Sequence, residues 1–389
     1  MAGAAIALPR VLRIGAGTLG DVGDVLRDLG VSRPFVVTDR FLAGQPAANR
    51  LTAALAGAGM TATVFADAIP DPTEASVALA LAAMGDGRHD CVIGFGGGSP
   101  IDTAKAVAVL AARGGGRMRA LKAPHVEDRA GLPVIAIPTT AGTGSEATRF
   151  TIVTDEATDE KMLCIGQAYL PVAAIVDYEL TLSKPARLTA DTGIDALTHA
   201  IEGYVSRRAN PFSDGIALLA MKAIAPNLRT VFREPGDRPA REAMMLGALQ
   251  AGMAFSNASV ALVHGMSRPI GAHFHVAHGL SNAMLLPVVT AFSASAAPAR
   301  YADCARAMGL ASEATDDAEA VARLVSELRQ LNRDLEVPSP RAYGLDEGRW
   351  RALIPVMAEQ ALASGSPANN PRIPSAAEIA TLYEQAWEA

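Results

Sequence analysis

Cysteine is scarce in this sequence: Cys91, Cys164 and Cys304 are all there is in 389 residues, far apart and without a C-x-x-C pair. A chain of this size needs no disulfide staples, so the pattern excludes a disulfide scaffold and a cysteine-built metal site, and it is the one expected of a reducing cytoplasm. A surplus of either charge is missing as well. The 34 basic and 40 acidic side chains leave a net charge of −6, which offers no field for nucleic acid or an anionic membrane surface. No run of about eighteen apolar residues is present, and Met1 to Arg10 lacks the basic stretch and apolar segment of a secretory leader. Neither membrane insertion nor secretion is therefore expected. Low-complexity tracts and repeats of about 20–50 residues are also absent, which excludes solenoids and propellers.

Apolar residues, by contrast, fill 50% of the 389 positions. A chain this long exceeds the size at which one core stops growing, so two domains are expected. In the N-terminal half, short β-branched runs alternate with Ala/Leu-rich stretches, the rhythm of a parallel α/β sheet. Strands are predicted at 35–38, 61–65, 91–94 and 134–137, each short and apolar as required where both sheet faces are covered. Helices are predicted at 72–83 and 101–113. The texture changes between Asp177 and Pro185. From Arg187 onward Ala, Leu, Met and charged residues recur at helical spacing and strand signals nearly vanish. The expected architecture is α/β plus all-α: a Rossmann-like parallel-sheet domain over residues 1–182 and an all-helical domain over 183–389. Surface loops are expected at 114–117 and 367–374.

The strand from Cys91 runs into Gly96, Gly97 and Gly98, then Ser99, Pro100 and a helix carrying Asp102 and Lys105. Glycine lets backbone N–H groups approach a phosphate closely, and the helix start adds its positive dipole end, so the segment suits a pyrophosphate. Alone, such a triplet reads equally well as a tight turn. A second polar turn, from Pro138 through Thr139, Thr140 and Gly144 to Glu146, follows another buried strand, and strand-end loops are where open sheets bind ligands. Asp39 follows the strand at 35–38, where a carboxylate can accept from adenosine ribose hydroxyls and would repel a 2′-phosphate. NAD is thus favoured over NADP, the alternative role for Asp39 being a helix cap.

Asp195 and His199 stand four apart, on one face of a predicted helix. Two further histidines, His264 and His278, lie in apolar, glycine-punctuated settings. Unbroken helix would hold those two about 21 Å apart, so they can meet only if the chain turns back, which is expected near Gly271. One carboxylate and three imidazoles suit Fe²⁺ or Zn²⁺ rather than Mg²⁺ or Ca²⁺, which take oxygen ligands.

In this order the segments Gly96–Lys105, Pro138–Glu146, Asp195–Glu202 and His264–His278 resemble the iron-containing (group III) alcohol dehydrogenase family, which includes lactaldehyde reductases and propanediol dehydrogenases, through nearly the whole chain. The resemblance implies that Asp195, His199, His264 and His278 are metal ligands, that Gly97, Gly98 and Ser99 cradle the pyrophosphate, and that Asp102, Thr139 and Thr140 touch the cofactor. It likewise implies Asp39 as the ribose reader, and Asp71 and Lys161 as dinucleotide contacts. The implied enzyme is a homodimer interconverting a small alcohol and its aldehyde or ketone, with its active site in a cleft between the two domains.

Two positions depart from the family pattern. Many members carry a second histidine four residues after the third ligand; here that residue is Arg268, which cannot relay protons because it does not deprotonate. Its planar fork suits an anionic substrate group, against the alternative of capping a helix or pairing with a structural acid. The proton is then expected to leave through water and the cofactor ribose, or through His275 or His273 just before His278, the alternative for these histidines being exposed loop residues. Ala277 replaces the family's usual proline before the last ligand, a change in local rigidity rather than chemistry. Arg149 is read as structural, Cys91 as a small buried strand residue, and His89 and His125 as solvated. The rival readings are a maleylacetate reductase-like, glycerol dehydrogenase-like or dehydroquinate synthase-like relative, or a nucleotide-binding protein without turnover. The full ligand set argues against the last of these.

Overall fold

The structure is a computed structural model that describes residues 3–85 and 87–388. Eight strands occur in it: β1 (Val11–Ile14), β2 (Pro34–Val37), β3 (Thr63–Phe65), β4 (Cys91–Gly96), β5 (Val134–Pro138), β6 (Phe150–Asp155), β7 (Glu160–Ile165) and β8 (Ala173–Val176). Five helices interleave with them: α1 (Val22–Leu29), α2 (Arg40–Ala43), α3 (Pro46–Gly57), α4 (Glu74–Met84) and α5 (Gly98–Ala112). Nine more follow: α6 (Ala186–Val205), α7 (Pro211–Arg233), α8 (Arg238–Ala258), α9 (Leu262–Phe274), α10 (His278–Ala294), α11 (Pro298–Ala307), α12 (Asp317–Asp334), α13 (Glu347–Ala363) and α14 (Ala376–Ala386). The chain divides into two compact units between Ser183 and Lys184, with the stretch up to Ile6 grouped with the second unit.

In the first unit six strands form a fully parallel sheet in the order β1-β8-β5-β4-β2-β3, and β6 and β7 make a separate antiparallel hairpin. The central strands are buried on both faces because successive side chains alternate between two cores. Phe35, Val37 and Val92 pack with Val77, Ala104 and Val107, while Val36, Ile93 and Phe95 pack with Val22, Leu26 and Leu51. From β2 the chain moves outward to β3, and from β4 it moves the opposite way to β5. The carboxyl ends of β2 and β4 thus flank the point where strand order reverses, the crevice at which such sheets bind ligands.

The second unit is helical throughout. Its helix α7 meets the length and hydropathy of a membrane-crossing helix, but its buried stripe of Ala217, Ala220, Met221, Ile224, Leu228 and Val231 packs against α6 and α8, as an amphipathic bundle helix does. Two expectations are corrected here. The chain does not turn at Gly271, which lies inside α9 and accepts at its carbonyl from His275 N at 3.1 Å. It turns at His275, whose left-handed φ of 56° ends the helix, the αL stop more often supplied by glycine. Nor is 367–374 only a surface loop. Pro367 and Asn370 are buried, and Asn369 Nδ2 donates to Ser259 Oγ and Val260 O at 3.0 and 3.1 Å, clamping the entry to α9.

Candidate functional site

The end of β4 turns directly into α5, and glycine is required there. At Gly96, with φ at 154°, a Cβ would lie 2.6 Å from Pro100 Cγ. Gly97 then caps α5 without a side chain, so the N–H groups of Gly98 and Ser99 remain for an outside acceptor at the positive end of a 15-residue helix. The second turn faces the first: a Cβ on Gly97 would meet Thr140 at 3.6 Å and one on Gly98 would meet Thr143 at 3.0 Å. Thr139 N donates to Gly96 O at 2.9 Å, holding the two turns together.

Residues far apart in sequence complete this rim. Asp71 N donates to Ser99 Oγ at 3.2 Å, and the Asp71 carboxylate pairs with Lys161 Nζ at 2.9 Å. Asp71 holds φ at 49°, a left-handed conformation that costs a non-glycine residue about 1–2 kcal/mol. Such strain is kept where the surrounding structure imposes it, commonly at functional sites. Beyond β2, Asp39 Oδ1 accepts from Leu42 N at 2.8 Å and caps α2; its second oxygen makes no bond among the described residues. Asp102 points into the protein instead. Its carboxylate accepts from Ser145 Oγ at 2.6 Å and Ile152 N at 3.0 Å, stapling the second turn to α5. Burial raises its pKa against the opposing pull of the Lys105 ammonium.

The four residues expected as metal ligands converge in the second unit. Asp195, His199, His264 and His278 each offer a donor atom, and these atoms lie within 4.8 Å of one another. Asp195 Oδ1 is 3.4 Å from His264 Nε2, 3.7 Å from His278 Nε2 and 3.9 Å from His199 Nε2. Burial would raise the Asp195 carboxyl, but the imidazoles outweigh it and hold the group well below the ordinary range. His199 is stacked between Phe255 and His264, with ring centroids at 4.2 and 4.5 Å. Three donors are buried; the His278 side chain is 39% exposed, so the cluster opens on that side.

The residues present fit a divalent cation. Asn282, absent from the sequence expectations, directs its amide nitrogen into the cluster, 2.7 Å from Asp195 Oδ1, 3.1 Å from His264 Nε2 and 3.2 Å from His278 Nε2. The donor atoms thus already surround partial positive charge. Glu202 was also missed as a participant. It accepts from Val263 N at 2.6 Å, Ala261 N at 2.9 Å and His264 Nδ1 at 2.6 Å. Since a carboxylate only accepts, His264 keeps a proton on Nδ1, so that Nε2, once it gives up its own proton, presents its lone pair to the cluster. Burial lowers the His264 pKa, but Glu202 and Asp195 more than offset it and raise it to about 9. A signal for Glu202 was available, because 195, 199 and 202 follow the i, i+4, i+7 spacing of one helix face. Asn282 likewise stands four residues after His278.

His278 is placed by close packing of α10 on α6. A Cβ at Gly279 would lie 2.3 Å from the carbonyl oxygen of Asp191, far inside contact distance and against backbone that cannot swing away. Gly279→Ala is therefore expected to push His278 out of the cluster and to lower metal affinity at least tenfold. Retention of wild-type affinity in a chelator competition would show that the packing is not what sets His278.

The remaining candidates divide. His273 Nε2 contacts Gln360 Oε1 at 2.8 Å, His275 is exposed at the end of α9, and Arg268 lies half-buried within that helix. Cys91 is buried, and desolvation raises its thiol far above the ordinary range, as an inert core residue requires.

Comparison with known proteins agrees with this geometry in both units. Residues 9–178 match the family described as iron-containing alcohol dehydrogenase, and residues 189–387 match the C-terminal part of the Fe-containing alcohol dehydrogenase family. The chain is 38% identical over 390 residues to long-chain-alcohol dehydrogenase 1 of Geobacillus thermodenitrificans, covering 100% of this chain and 98% of that one. It is 35% identical over 379 residues to the NAD-dependent methanol dehydrogenase of Bacillus methanolicus, covering 97% and 98%. Among solved structures, a 1,3-propanediol oxidoreductase superposes with a TM-score of 0.94 at 34% identity, covering 99% of this chain and 100% of that one. With a parallel-sheet unit, a helical unit and a His₃Asp cluster in the latter, the chain belongs to the iron-containing alcohol dehydrogenase family.

Proposed function

We propose that the protein is a metal-dependent, NAD(H)-linked oxidoreductase interconverting a small alcohol and its aldehyde or ketone, and that it works as a cytoplasmic homodimer. The observation that carries the reading is the convergence of Asp195, His199, His264 and His278. These residues would hold Fe²⁺ or Zn²⁺, since one carboxylate and three imidazoles accept either. Bound there, the cation supplies Lewis acidity toward a substrate oxygen, and the nicotinamide supplies or accepts the hydride. The chain's own contribution is position: Glu202 fixes the ring and tautomer of His264, and His278 stands at the open side.

Gly97, Gly98 and Ser99 would take the pyrophosphate on backbone N–H groups, with Thr139, Thr140, Asp71 and Lys161 around it and Asp102 bracing the loop from behind. Asp39, one oxygen committed to its helix, would offer the other to the ribose hydroxyls; a carboxylate there disfavours a 2′-phosphate. The similarity to an NAD-dependent methanol dehydrogenase supports the same cofactor. Three free, buried thiols support a reducing compartment, and twofold dimers are the common assembly of soluble enzymes.

The test follows NADH and NADPH oxidation with small aldehydes, using chelator-treated protein before and after adding Fe²⁺ or Zn²⁺. Activity restored by metal with NADH preferred is the expected result, and Asp39→Ala should narrow that preference about tenfold. Turnover indifferent to chelation would overturn the metal's role; a preference for NADPH would overturn that of Asp39.

A further inference from the structure

Arg268 stands one helical turn beyond His264 on the same face of α9, about 6 Å along the axis, with Gly271 following it on that face and adding no side chain. Among the described residues it makes no hydrogen bond and no ion pair, although it is half-buried, burial lowers its pKa, and the Glu202 carboxylate is near enough to pull it back up. Several other arginines of the helical unit are matched. Arg187 meets Asp191, Arg229 meets Glu327 and Asp334, Arg300 meets Asp214, and Arg306 meets Asp303 and Asp317. Even Arg241, with no carboxylate, donates to Pro235 O and Thr189 Oγ1. Glu202 makes no hydrogen bond or ion pair with Arg268; its oxygens accept instead from Ala261 N, Val263 N and His264 Nδ1. Capping is excluded by position, since Arg268 is interior to the Leu262–Phe274 helix.

A half-buried cation with no hydrogen-bonded or ion-paired counter-charge bears part of the cost of desolvation, and one a helical turn from His264 is placed to be neutralised by an anion that arrives. We propose that Arg268 anchors an anionic group on the substrate, so that the enzyme acts on short aldehydes bearing a carboxylate and on the corresponding hydroxy acids. This rests on the dehydrogenase reading above and names its substrate class. The planar guanidinium takes both carboxylate oxygens at once. The 6 Å offset from His264 sets a spacing of about two to four carbons between the reacting carbonyl and the carboxylate.

The experiment compares 4-oxobutanoate with butanal, close in length and differing in charge, in steady-state kinetics of the metal-loaded enzyme. Calorimetry measures binding of succinate, which has the carboxylates but no reducible carbonyl, to protein with and without added metal. The wild type is expected to prefer 4-oxobutanoate in kcat/KM about 10- to 100-fold, the range for a charge-assisted hydrogen-bonded pair. Arg268→Ala should collapse that ratio toward one, chiefly through KM, and abolish succinate binding in both metal states. Arg268→Lys, which keeps the charge but loses the fork, should fall between, and it decides the matter if Arg268→Ala does not fold. Turnover of butanal with no preference for 4-oxobutanoate would overturn the anchor and leave the dehydrogenase standing. Succinate binding unchanged in either variant would overturn it too. No turnover of either aldehyde would count against the dehydrogenase, and the succinate titration would then decide the anchor alone.

Discussion

Glu202→Gln is expected to lower the affinity for added Fe²⁺ or Zn²⁺ about 10- to 100-fold, the usual consequence of losing a carboxylate that orients a metal-bound histidine. Glu202 receives three donors: His264 Nδ1 and the Val263 and Ala261 N–H groups. The latter two belong to the uncapped start of α9, where Ala261 offers no side-chain cap, so a residue of α6 satisfies the end of another helix while orienting its third side chain. Glutamine keeps one accepting oxygen but turns an NH₂ group toward a donor, which loses a bond and adds a repulsion. Alanine would strand all three donors, each costing about 1–3 kcal/mol when buried, and should lower stability as well as metal affinity. The two variants separate packing from tuning. Metal affinity of the glutamine variant within twofold of wild type, measured against a competing chelator, would remove Glu202 from the metal site and leave it only a helix cap.

The sequence reveals those parts of this architecture whose signal is local. The two glycine turns, the helical pair Asp195 and His199, and the change to helix after Pro185 can all be read along a few consecutive residues. The strands at β2, β4 and β5 are equally plain, being short apolar runs covered on both faces. β1 and β8 are not. Ala173–Val176 is half alanine, and Val11–Ile14 is an edge strand with an arginine in it and its last residue exposed, so neither shows the β-branched run that marks an interior strand. The β6–β7 hairpin does alternate, but its charged residues mask the period. That omission hides the meeting of Lys161 with Asp71, which depends on where the hairpin packs. The turn at His275 was misplaced for a related reason: glycine is the usual left-handed stop, and Gly271 was available, yet the chain uses a histidine. Glu202 and Asn282 carried helical spacing but no distinctive chemistry until the fold set them against His264.

Lys105→Met should cost the α/β unit about 3–5 kcal/mol, the range for removing one partner of a buried charge network. Lys105 is fully buried. Its ammonium donates to Phe150 O at 2.8 Å and to Thr148 O and Thr148 Oγ1 at 3.1 Å, with Asp102 Oδ1 4.0 Å away. Methionine fills the same length of core but donates nothing, removing this donor from the Thr148 and Phe150 carbonyls and leaving Asp102 and Glu146 without their nearby cation. Burial already pushes Glu146 up to about 7, so losing the cation removes one of the interactions favouring its charged form. Because Asp102 ties Ser145 and Ile152 to α5, the second cradle turn should loosen too, and NADH should bind more weakly. The pH dependence identifies the origin of the loss. Burial lowers Lys105 from 10.5 to about 8, against the pull of Asp102 and Glu146. Between those values the unfolded chain binds more protons than the folded one, so wild-type stability gains from this group as pH rises from about 8 toward 10.5. The methionine variant lacks that gain, and its deficit should widen over the same interval. A deficit below about 1 kcal/mol would mean that the fold does not depend on this side chain, and one that stays constant from pH 8 to 10 would mean that burial does not lower its pKa.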